Sequence, residues 1–355
     1  MRIVVAMSGG VDSSVAAALL AQQGYDVIGM SMQLYDQSGS QPFGSCCTLD
    51  DLYDARRVAA ALGIPHYILN FERQFHDTVV SNFVREYASG RTPLPCAHCN
   101  SDLKFATLLD RARGLGADGV ATGHYARVEQ TAGGRVLLRR SADSHKDQSY
   151  FLFSLTQDQL RCAHFPVGTL TKPEVRAEAR RLGLRVADKP DSQEICFLPD
   201  GDYASFVARH QPSAMVGGTI AHQDGRVLGT HDGVHRYTVG QRKGLGVSSP
   251  APLYVLKIDA HSGTVTVGPR TALDQETLTA SGVNWISVDP PTAWLSVTAQ
   301  IRHRHRAAAG RVRALQDECA ELVFDSPQAA ITPGQAVVFY DDDVVVGGGW
   351  IDRAA

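Results

Sequence analysis

The sequence predicts an α/β fold with a doubly wound, mostly parallel sheet, followed by two smaller β-rich domains, the last of them a β-barrel. Up to about residue 210, short apolar segments alternate with segments of helical periodicity, as in successive β–α units. Beyond His210, glycine, turn residues and short alternating segments dominate, which indicates β structure. Because 355 residues are also long for one hydrophobic core, we expect domains at 1–210, 211–275 and 276–355.

The elements of the first domain follow from apolar runs and from helix start and stop signals. Strands are predicted at residues 3–6, 27–34, 66–71 and 119–122. Helices are predicted at residues 14–23, 50–62, 72–88, 102–115 and 171–182. Thr171 and Glu174 have the spacing of a capping box at the start of the last helix. Gly133 and Gly134 are expected to turn a hairpin over residues 126–140.

The composition describes an ordinary globular protein, since 44% of the residues are apolar and 20% are charged. No apolar run approaches the roughly 20 residues of a membrane span, and no signal peptide precedes the first strand, so we expect a cytoplasmic protein without a membrane partner. A net charge of −3 excludes a uniformly basic nucleic-acid binder, so any such contact depends on local patches. Seven cysteines in a cytosolic chain favour metal binding or sulfur chemistry over a disulfide framework.

Residues 8–13, Ser-Gly-Gly-Val-Asp-Ser, lie between the first strand and the first helix. Glycines and a helix start place backbone N–H groups and a positive helix dipole at one point, which suits phosphate. A Walker loop would require a lysine here, and none is present. The motif resembles the pyrophosphate loop of Rossmann-like ATP pyrophosphatases, enzymes that cleave ATP between its α- and β-phosphates. Asp12 could hold Mg²⁺ there, and the alternative is a tight strand-to-helix turn without a ligand.

Two separated cysteines are candidates for covalent chemistry. Cys99 follows a proline-rich segment and precedes the predicted helix at 102–115, so it would lie near a helix N-terminus, where a thiolate is stabilised. Cys196 lies in a loop that Lys189 and Pro190 open. The alternatives are inert buried cysteines, half of a zinc site in Cys96-x-x-Cys99, or an iron–sulfur cluster on Cys96, Cys99 and Cys196 with one iron left open.

The densest basic run is residues 301–306, Ile-Arg-His-Arg-His-Arg, followed by Arg311 and Arg313. If residues 301–306 form a strand, its three arginines point to one face, where they could contact RNA phosphates. The alternative is a solvated edge strand that its charges protect from further pairing.

Other short motifs extend over the chain. They are Cys46-Cys47 with Asp54–Arg56, Cys99-Asn100, Ala121–Tyr125, Lys146–Tyr150, Asp191-Ser192 with Ile195–Phe197, Tyr237–Gly246 and Pro333–Gln335. Together with the loop at 8–13, this combination resembles the bacterial tRNA-specific 2-thiouridylase family over essentially the whole chain.

The resemblance implies that sulfur replaces the C2 oxygen of the wobble uridine in the anticodon stem-loop of certain tRNAs. It implies that Cys99 is the catalytic nucleophile and that Cys196 carries a persulfide sulfur, which a donor protein such as a cysteine desulfurase or a sulfur relay protein supplies. The implied ATP-binding residues are Ala6, Met7, Ser8, Gly9, Gly10, Val11, Asp12, Ser13, Met32 and Gly123. The implied tRNA-binding residues are Leu94, Pro95, Cys96, His124, Lys146, Asp147, Gln148, Arg302, His303 and Gln335. Many members have Asp where this chain has Cys96, which weakens a general-base role at this position and leaves a cluster ligand open.

The residues also suit this reaction on chemical grounds. A uracil carbonyl oxygen leaves poorly unless it is activated, and transfer of AMP from ATP to that oxygen requires a pyrophosphate loop and Mg²⁺. One cysteine must then carry sulfur and a second must release it. A small-molecule ligase resembling argininosuccinate or GMP synthetases is a second hypothesis, although such enzymes need no cysteine pair. A third hypothesis is a binding module for RNA or metal without catalysis.

Overall fold

The computed structural model describes residues 1–35, 49–191, 195–198 and 201–354. It divides into two compact units. The first contains Met1–Val79, Cys96–Gly201 and Asp343–Val345, and the second contains Val80–Pro95, Asp202–Asp342 and Val346–Ala355. The division of the chain into three domains stays a prediction. Cys46, Cys47 and Ser192, which belong to motifs of the resemblance, lie outside the described residues.

A five-stranded parallel sheet forms the centre of the first unit, in the order β3-β2-β1-β4-β7. The strands are β1 (Arg2–Ala6), β2 (Asp26–Gln33), β3 (His66–Asn70), β4 (Gly119–Ala121) and β7 (Ala163–His164). Ile3, Val4 and Val5 are fully buried, because both faces of a parallel sheet are covered and its strands are therefore continuously apolar. The predicted doubly wound sheet is confirmed.

The helices of the first part of the chain differ from the prediction in several places: the first begins at Val11 rather than at residue 14, and the helix at Gln157–Arg161 was not predicted. They are α1 (Val11–Gln22), α2 (Leu49–Leu62), α3 (Glu72–Phe75), α4 (Ser81–Ala88), α5 (Pro95–His98), α6 (Leu108–Gly114), α7 (Gln157–Arg161) and α8 (Lys172–Arg181), with π-helical segments at His76–Val80 and Cys99–Thr107. The segment predicted as one helix at 72–88 therefore contains a π-helical turn. The helix predicted at 102–115 begins earlier, at Pro95, because a proline at the first helical position has the right φ and needs no N–H partner.

The predicted hairpin at 126–140 is present as β5 (Ala126–Gln130) and β6 (Val136–Arg140). Gly134, in its turn, has φ of +79°, which favours glycine. Asp343 accepts hydrogen bonds from Arg127 Nη2 and Arg139 Nη1, each at 2.6 Å.

The second unit is mostly β structure, as predicted. After α9 (Tyr203–His210), the next sheet has the order β10-β11-β8-β9, with strands β8 (Gly218–His222), β9 (Val227–His231), β10 (Tyr254–Asp259) and β11 (Thr264–Gly268). Six strands then follow around a barrel in the order β12-β15-β14-β13-β16-β17. They are β12 (Asp274–Trp285), β13 (Leu295–Gln300), β14 (Ala308–Ala314), β15 (Ala320–Ala329), β16 (Ala336–Asp341) and β17 (Val344–Ala354). Pairing of β12 with β17 closes the barrel and leaves no free edge among these strands.

The basic run at 301–306 is not a strand, so the prediction of arginines on one strand face is wrong. These residues form the loop between β13 and β14. The Gln300 side chain donates to the backbone carbonyls of Arg302 and His303 at 3.2 and 2.8 Å, and these bonds hold the chain in a turn. Arg302, His303, Arg304 and Arg306 are exposed there.

Within the described ranges, no helix is both long and apolar enough to cross a membrane.

Candidate active site

The candidate site lies at the carboxyl ends of β1 and β4. On one side of β1 the sheet continues to β2 and β3, and on the other side to β4 and β7, so β1 and β4 mark the point where the strand order reverses. Ligands of open α/β sheets bind in the crevice at such a point. Residues 7–13 follow β1 and Gly123 follows β4. A Cβ at Gly123 would lie 2.5 Å from Ser13 N, so only glycine allows these two segments to approach so closely.

The loop at 8–13 has the features of an anion site. Gly9 has φ of +76°, and a Cβ there would lie 2.1 Å from Asp51 O, so this position requires glycine. Gly10 is the N-cap of α1, and no side chain of the described part of the chain caps this helix. The N–H groups of its first turn therefore remain available, at the positive end of the helix dipole. The Ser8 and Ser13 hydroxyls lie 3.3 Å apart beside them.

Three other predicted ATP-binding residues belong to the core around this loop. Met7, Val11 and Met32 are each no more than 9% exposed, so the chain around them is well fixed. The side chains of Met7 and Val11 pack in the hydrophobic core, so these two residues would contact a ligand through their backbone.

The loop also receives a lysine, although not from its own sequence. Lys172 Nζ donates to both carboxylate oxygens of Asp12, each at 2.8 Å, and Tyr125 donates its hydroxyl to Asp12 Oδ1 at 2.7 Å. Lys172 is the first residue of α8, and its own N–H donates to Asp143 Oδ2 at 2.9 Å. Sequence reasoning missed Lys172. The one signal is a lysine in the first turn of a helix, where the dipole disfavours a cation unless anions face it.

Asp191 joins the same group of charges, which we call the Lys172 cluster: Asp12, Lys146, Lys172, Arg176 and Asp191. Asp191 pairs with Lys146 at 2.6 Å, with Lys172 at 2.8 Å and with Arg176 at 3.0 Å. Partial burial would raise the pKa of the Asp191 carboxyl, but the hydrogen bonds from Lys146 and Lys172 dominate and lower that pKa to about 2. Three cations against two carboxylates leave the cluster with an excess of positive charge, which suits an anion.

A second lysine supports the loop from the other side. Lys189 Nζ donates to Gly9 O at 3.1 Å and to carboxylate oxygens of Asp51 and Asp54 at 2.6 and 2.7 Å. Burial would lower the pKa of Lys189, but its hydrogen bonds with the two carboxylates raise it. Lys189 therefore stays charged and ties the start of α2 to the loop.

The low pKa of Asp191 leads to a prediction about the stability of the folded protein. Because the carboxyl has a pKa near 3.9 in an unfolded chain, its ion pairs stabilise the protein fully above about pH 4, and this stabilisation is lost as the pH falls towards 2. Asp191→Asn is therefore expected to lower the free energy of unfolding at pH 7 by about 1–2 kcal/mol, after allowance for solvent screening. Urea unfolding of both proteins from pH 7 to pH 2 should show this difference shrinking below pH 4.

Asp188→Asn is the matched control, because Asp188 pairs with Arg180 on the exposed surface. If the free energies of unfolding of Asp191→Asn and the parent protein differ by the same amount at every pH, the prediction is contradicted.

The candidate cysteines differ in exposure. Cys96 is exposed in the first turn of α5, whereas Cys99 is 8% exposed and begins the π-helical segment. Cys99 is thus the fifth residue of a helix that starts at Pro95, whereas the sequence predicted it to precede a helix that begins at residue 102. Next to it, Asn100 donates to Phe151 O at 3.1 Å and accepts from Lys104 Nζ at 2.9 Å, so this turn of the helix is fixed.

Cys196 lies in a short turn that Leu198 N closes on Ile195 O at 2.9 Å. Phe197 anchors the turn by packing edge-to-face on Phe75 of α3, with ring centroids 5.6 Å apart. In the described residues, no three His, Cys, Asp or Glu side chains are arranged to hold a metal ion. The conformation therefore does not assemble the cluster ligands Cys96, Cys99 and Cys196.

Several predicted tRNA-binding residues have internal partners. His124 Nδ1 lies 2.7 Å from Thr122 Oγ1, and burial together with the Lys104 charge holds the pKa of His124 well below its ordinary value, so the ring is neutral. Asp147 accepts hydrogen bonds from Ser141 N, Ser149 Oγ and Arg140 Nη1, and Gln148 Oε1 accepts from Tyr125 N. These contacts shape the segment that carries Lys146.

The predicted tRNA-binding residues of the second unit fall into two groups. Gln335 Nε2 donates to the carbonyls of Thr92 and Pro93, each at 3.1 Å, and so supports the segment that continues to Leu94 and Pro95. Arg302 and His303 are exposed in the loop after β13. Arg302 Nη1 donates to Ala329 O at 3.1 Å.

The fold and the site define a nucleotide-binding α/β protein with an appended β-barrel, and comparison with known families agrees. Residues 1–200 match the family model described as tRNA methyl transferase HUP domain. Residues 204–269 match the corresponding PRC-barrel domain, and residues 275–351 match an aminomethyltransferase beta-barrel domain.

Comparison with individual relatives shows to which family the chain belongs. The chain is 54% identical, over 99% of its length and 95% of the relative's, to the tRNA-specific 2-thiouridylase MnmA of Geotalea uraniireducens (strain Rf4). It is 52% identical, over 99% of its length and 97% of the relative's, to the protein of the same name from Geobacter metallireducens (strain ATCC 53774 / DSM 7210 / GS-15). The chain belongs to the tRNA-specific 2-thiouridylase family, which confirms the resemblance. Among solved structures, a 4-thiouridine synthetase in complex with RNA and bound ATP matches 60% of this chain and 50% of that chain at 17% identity, with a TM-score of 0.35.

Proposed function

We propose that this protein is an ATP-dependent tRNA 2-thiouridylase that acts on the wobble uridine of the anticodon stem-loop. The observation that carries the proposal is the loop at 8–13, completed by Lys172, in the same compact unit as Cys99 and Cys196. Such an enzyme acts in the cytoplasm, where it would receive sulfur from a donor protein such as a cysteine desulfurase or a sulfur relay protein.

The first step uses the loop and the Lys172 cluster. The uridine C2 oxygen attacks the α-phosphorus of ATP, the bond to the bridging oxygen of the β-phosphate breaks, and pyrophosphate leaves. The free N–H groups of α1 and the cations of the cluster stabilise the charge that develops on pyrophosphate. Gly9 and Gly10 let the phosphates approach the backbone closely, and Met32 and Gly123 line the carboxyl ends of the neighbouring strands.

Mg²⁺ fits this site only as an ion that arrives with ATP. Both oxygens of the Asp12 carboxylate accept from Lys172, and no larger donor set exists among the described residues. Magnesium bound to nucleotides commonly uses one or two protein carboxylates and completes its shell with phosphate oxygens and water. Asp12 would be the protein ligand, and the ion would supply charge neutralisation on the phosphates.

The second step uses the two thiols. The terminal sulfur of a persulfide on Cys196 attacks C2, and AMP leaves with the former carbonyl oxygen. The Cys99 thiolate then attacks Cys196 Sγ, which breaks the S–S bond, leaves the sulfur on C2 and forms a Cys99–Cys196 disulfide. A dithiol reductant must return both cysteines to thiols before the next turnover. The burial of Cys99 protects it from solution oxidants until substrate is bound.

The other hypotheses account for fewer of these features. A small-molecule ligase would need the phosphate loop but not two cysteines, and a binding module without catalysis would need no cysteine for covalent chemistry. A cluster-dependent thiolase would need three assembled ligands, and the described residues do not provide them. We therefore derive no step through a cluster.

Measurement of pyrophosphate release from ATP tests the proposal. With persulfide-loaded protein, release is expected to require an unmodified tRNA whose wobble base is uridine, and thiolated tRNA should form in equal amount. Release that depends on a small amine instead of tRNA would identify a ligase. Absence of release under all conditions, with ATP still bound, would identify a binding module.

A further inference from the structure

An exposed tryptophan on the barrel is flanked by two arginines. Trp294 directly precedes β13 and is 39% exposed. The guanidinium carbons of Arg311 and Arg313, both on β14, lie 5.3 and 4.6 Å from the centre of the Trp294 ring system. At these distances each cation is attracted to the ring face. We call these three residues the Trp294 patch.

The two arginines differ in what else they contact. Arg313 Nε and Nη2 donate to Glu321 Oε2 at 2.9 and 2.6 Å, so its charge is neutralised. Among the described residues, no carboxylate forms an ion pair with Arg311, and its side chain is exposed. The Trp294 ring therefore restrains the Arg311 guanidinium while leaving its N–H groups available to a ligand. Such restraint lowers the entropy lost on binding.

The chemistry of a restrained, unpaired guanidinium suits phosphate. The planar fork donates two parallel hydrogen bonds to phosphate oxygens, and the open face of a guanidinium can stack on an unpaired base. Asp317 and Glu318 follow on the turn after β14, so the patch is not uniformly positive. Recognition here must rest on short-range hydrogen bonds to a nearby phosphate.

The patch shares its hairpin with the basic loop at 301–307. In the pairing of β13 with β14, Leu295 is opposite Val312 at one end and Ala299 is opposite Ala308 at the other. Four residues separate these ends, which is about 13 Å along a strand. A single polyanion can therefore contact Arg311 and the exposed arginines Arg302, Arg304 and Arg306.

We propose that Arg311, held by Trp294, is a docking point for a backbone phosphate of tRNA, in addition to the loop at 301–307. This inference rests on the proposed function, because it takes tRNA as the polyanion. Arg311 makes the contact, and Trp294 is a positioning residue.

The test is the salt dependence of tRNA binding to the full-length protein, measured with an unmodified tRNA transcript. Arg311→Gln is expected to weaken binding about fivefold and to reduce the slope of log K against log salt concentration by about 0.7–0.9, the loss of one phosphate contact. Trp294→Leu keeps an apolar side chain without the ring, so it should weaken binding about twofold to threefold with the slope unchanged. Arg353→Gln is the matched control, because Arg353 is exposed on β17, opposite β14 around the barrel.

Equal affinities and slopes for Arg311→Gln and Arg353→Gln would overturn the docking point. An unchanged affinity for Trp294→Leu, beside a weakened Arg311→Gln, would overturn the positioning role. Arg311→Gln and Trp294→Leu should still release pyrophosphate at the parent rate when tRNA is saturating. If the parent protein releases no pyrophosphate with tRNA, the proposed function fails, whatever the binding results are.

Discussion

Cys99→Ser and Cys196→Ser are each expected to abolish tRNA thiolation, with a loss of at least about a thousandfold, while pyrophosphate release continues. A serine at 196 cannot carry sulfane sulfur, and a serine at 99 cannot attack an S–S bond at neutral pH. Adenylation should survive, because it depends on the loop at 8–13 and the Lys172 cluster. The measurement is thiolated uridine and pyrophosphate in the same reaction, during a single turnover.

Cys96 and Cys162 provide the controls for this experiment. Cys96→Ala should keep substantial activity, because Cys96 is an exposed residue that would only border the target base. Cys96→Asp, which restores the residue of many family members, should be tolerated. Cys162→Ser should be tolerated as well, because Cys162 Sγ only accepts a bond from Arg113 Nη2 at 3.8 Å, which a serine oxygen can also accept. Simultaneous loss of bound iron and thiolation in Cys96→Ala, prepared without oxygen, would refute the persulfide route and support a cluster.

Lys172→Met is expected to reduce the rate of pyrophosphate release about a hundredfold at saturating ATP, the effect of removing one charge-stabilising donor from an active site. Methionine has a similar length but no charge, so Asp12 and Asp191 lose the cation that joins them. Lys172 is 10% exposed, and its removal from the two part-buried carboxylates should also cost about 1–2 kcal/mol of stability. Pyrophosphate release and urea unfolding of the same preparation separate the two effects.

Lys172→Arg should recover part of the rate, because it keeps the charge although the fork geometry differs. Lys257→Met is a control for the substitution itself, since Lys257 is exposed on β10. If Lys172→Met releases pyrophosphate within threefold of the parent rate while it remains folded, then Lys172 has no part in the chemistry and only fixes Asp12.

Particular elements show where sequence reasoning succeeded. The strands β1 to β4 were predicted within one residue at each end because each is a short segment rich in apolar residues, although Tyr67 and Ile68 of β3 are exposed. The hairpin β5–β6 and the start of α8 were predicted because turn glycines and a capping box are local signals.

The errors arose where a single side chain or a single helix start decided the local structure. The helix after the proline-rich segment was predicted to begin at residue 102, yet Pro95 occupies its first position. Alternating arginines and histidines at 301–306 suggested a strand, yet Gln300 binds the backbone of the next residues and forms a loop. Neither feature produces a periodic pattern in the sequence, because one depends on a single side chain and the other on the start of a single helix.

The sequence by itself determined the nucleotide loop, the two candidate cysteines and the family, because each depends on short motifs of contiguous residues. Only the tertiary structure placed Lys172 on Asp12, joined Asp191 and Lys146 to them, and set Trp294 against Arg311. Lys172 and Asp12 are 160 residues apart, and no pattern in one sequence encodes a pairing at that distance. The pairing exists because the parallel sheet brings the carboxyl ends of its strands to one edge, where α8 begins and where the charge of its lysine is matched by carboxylates.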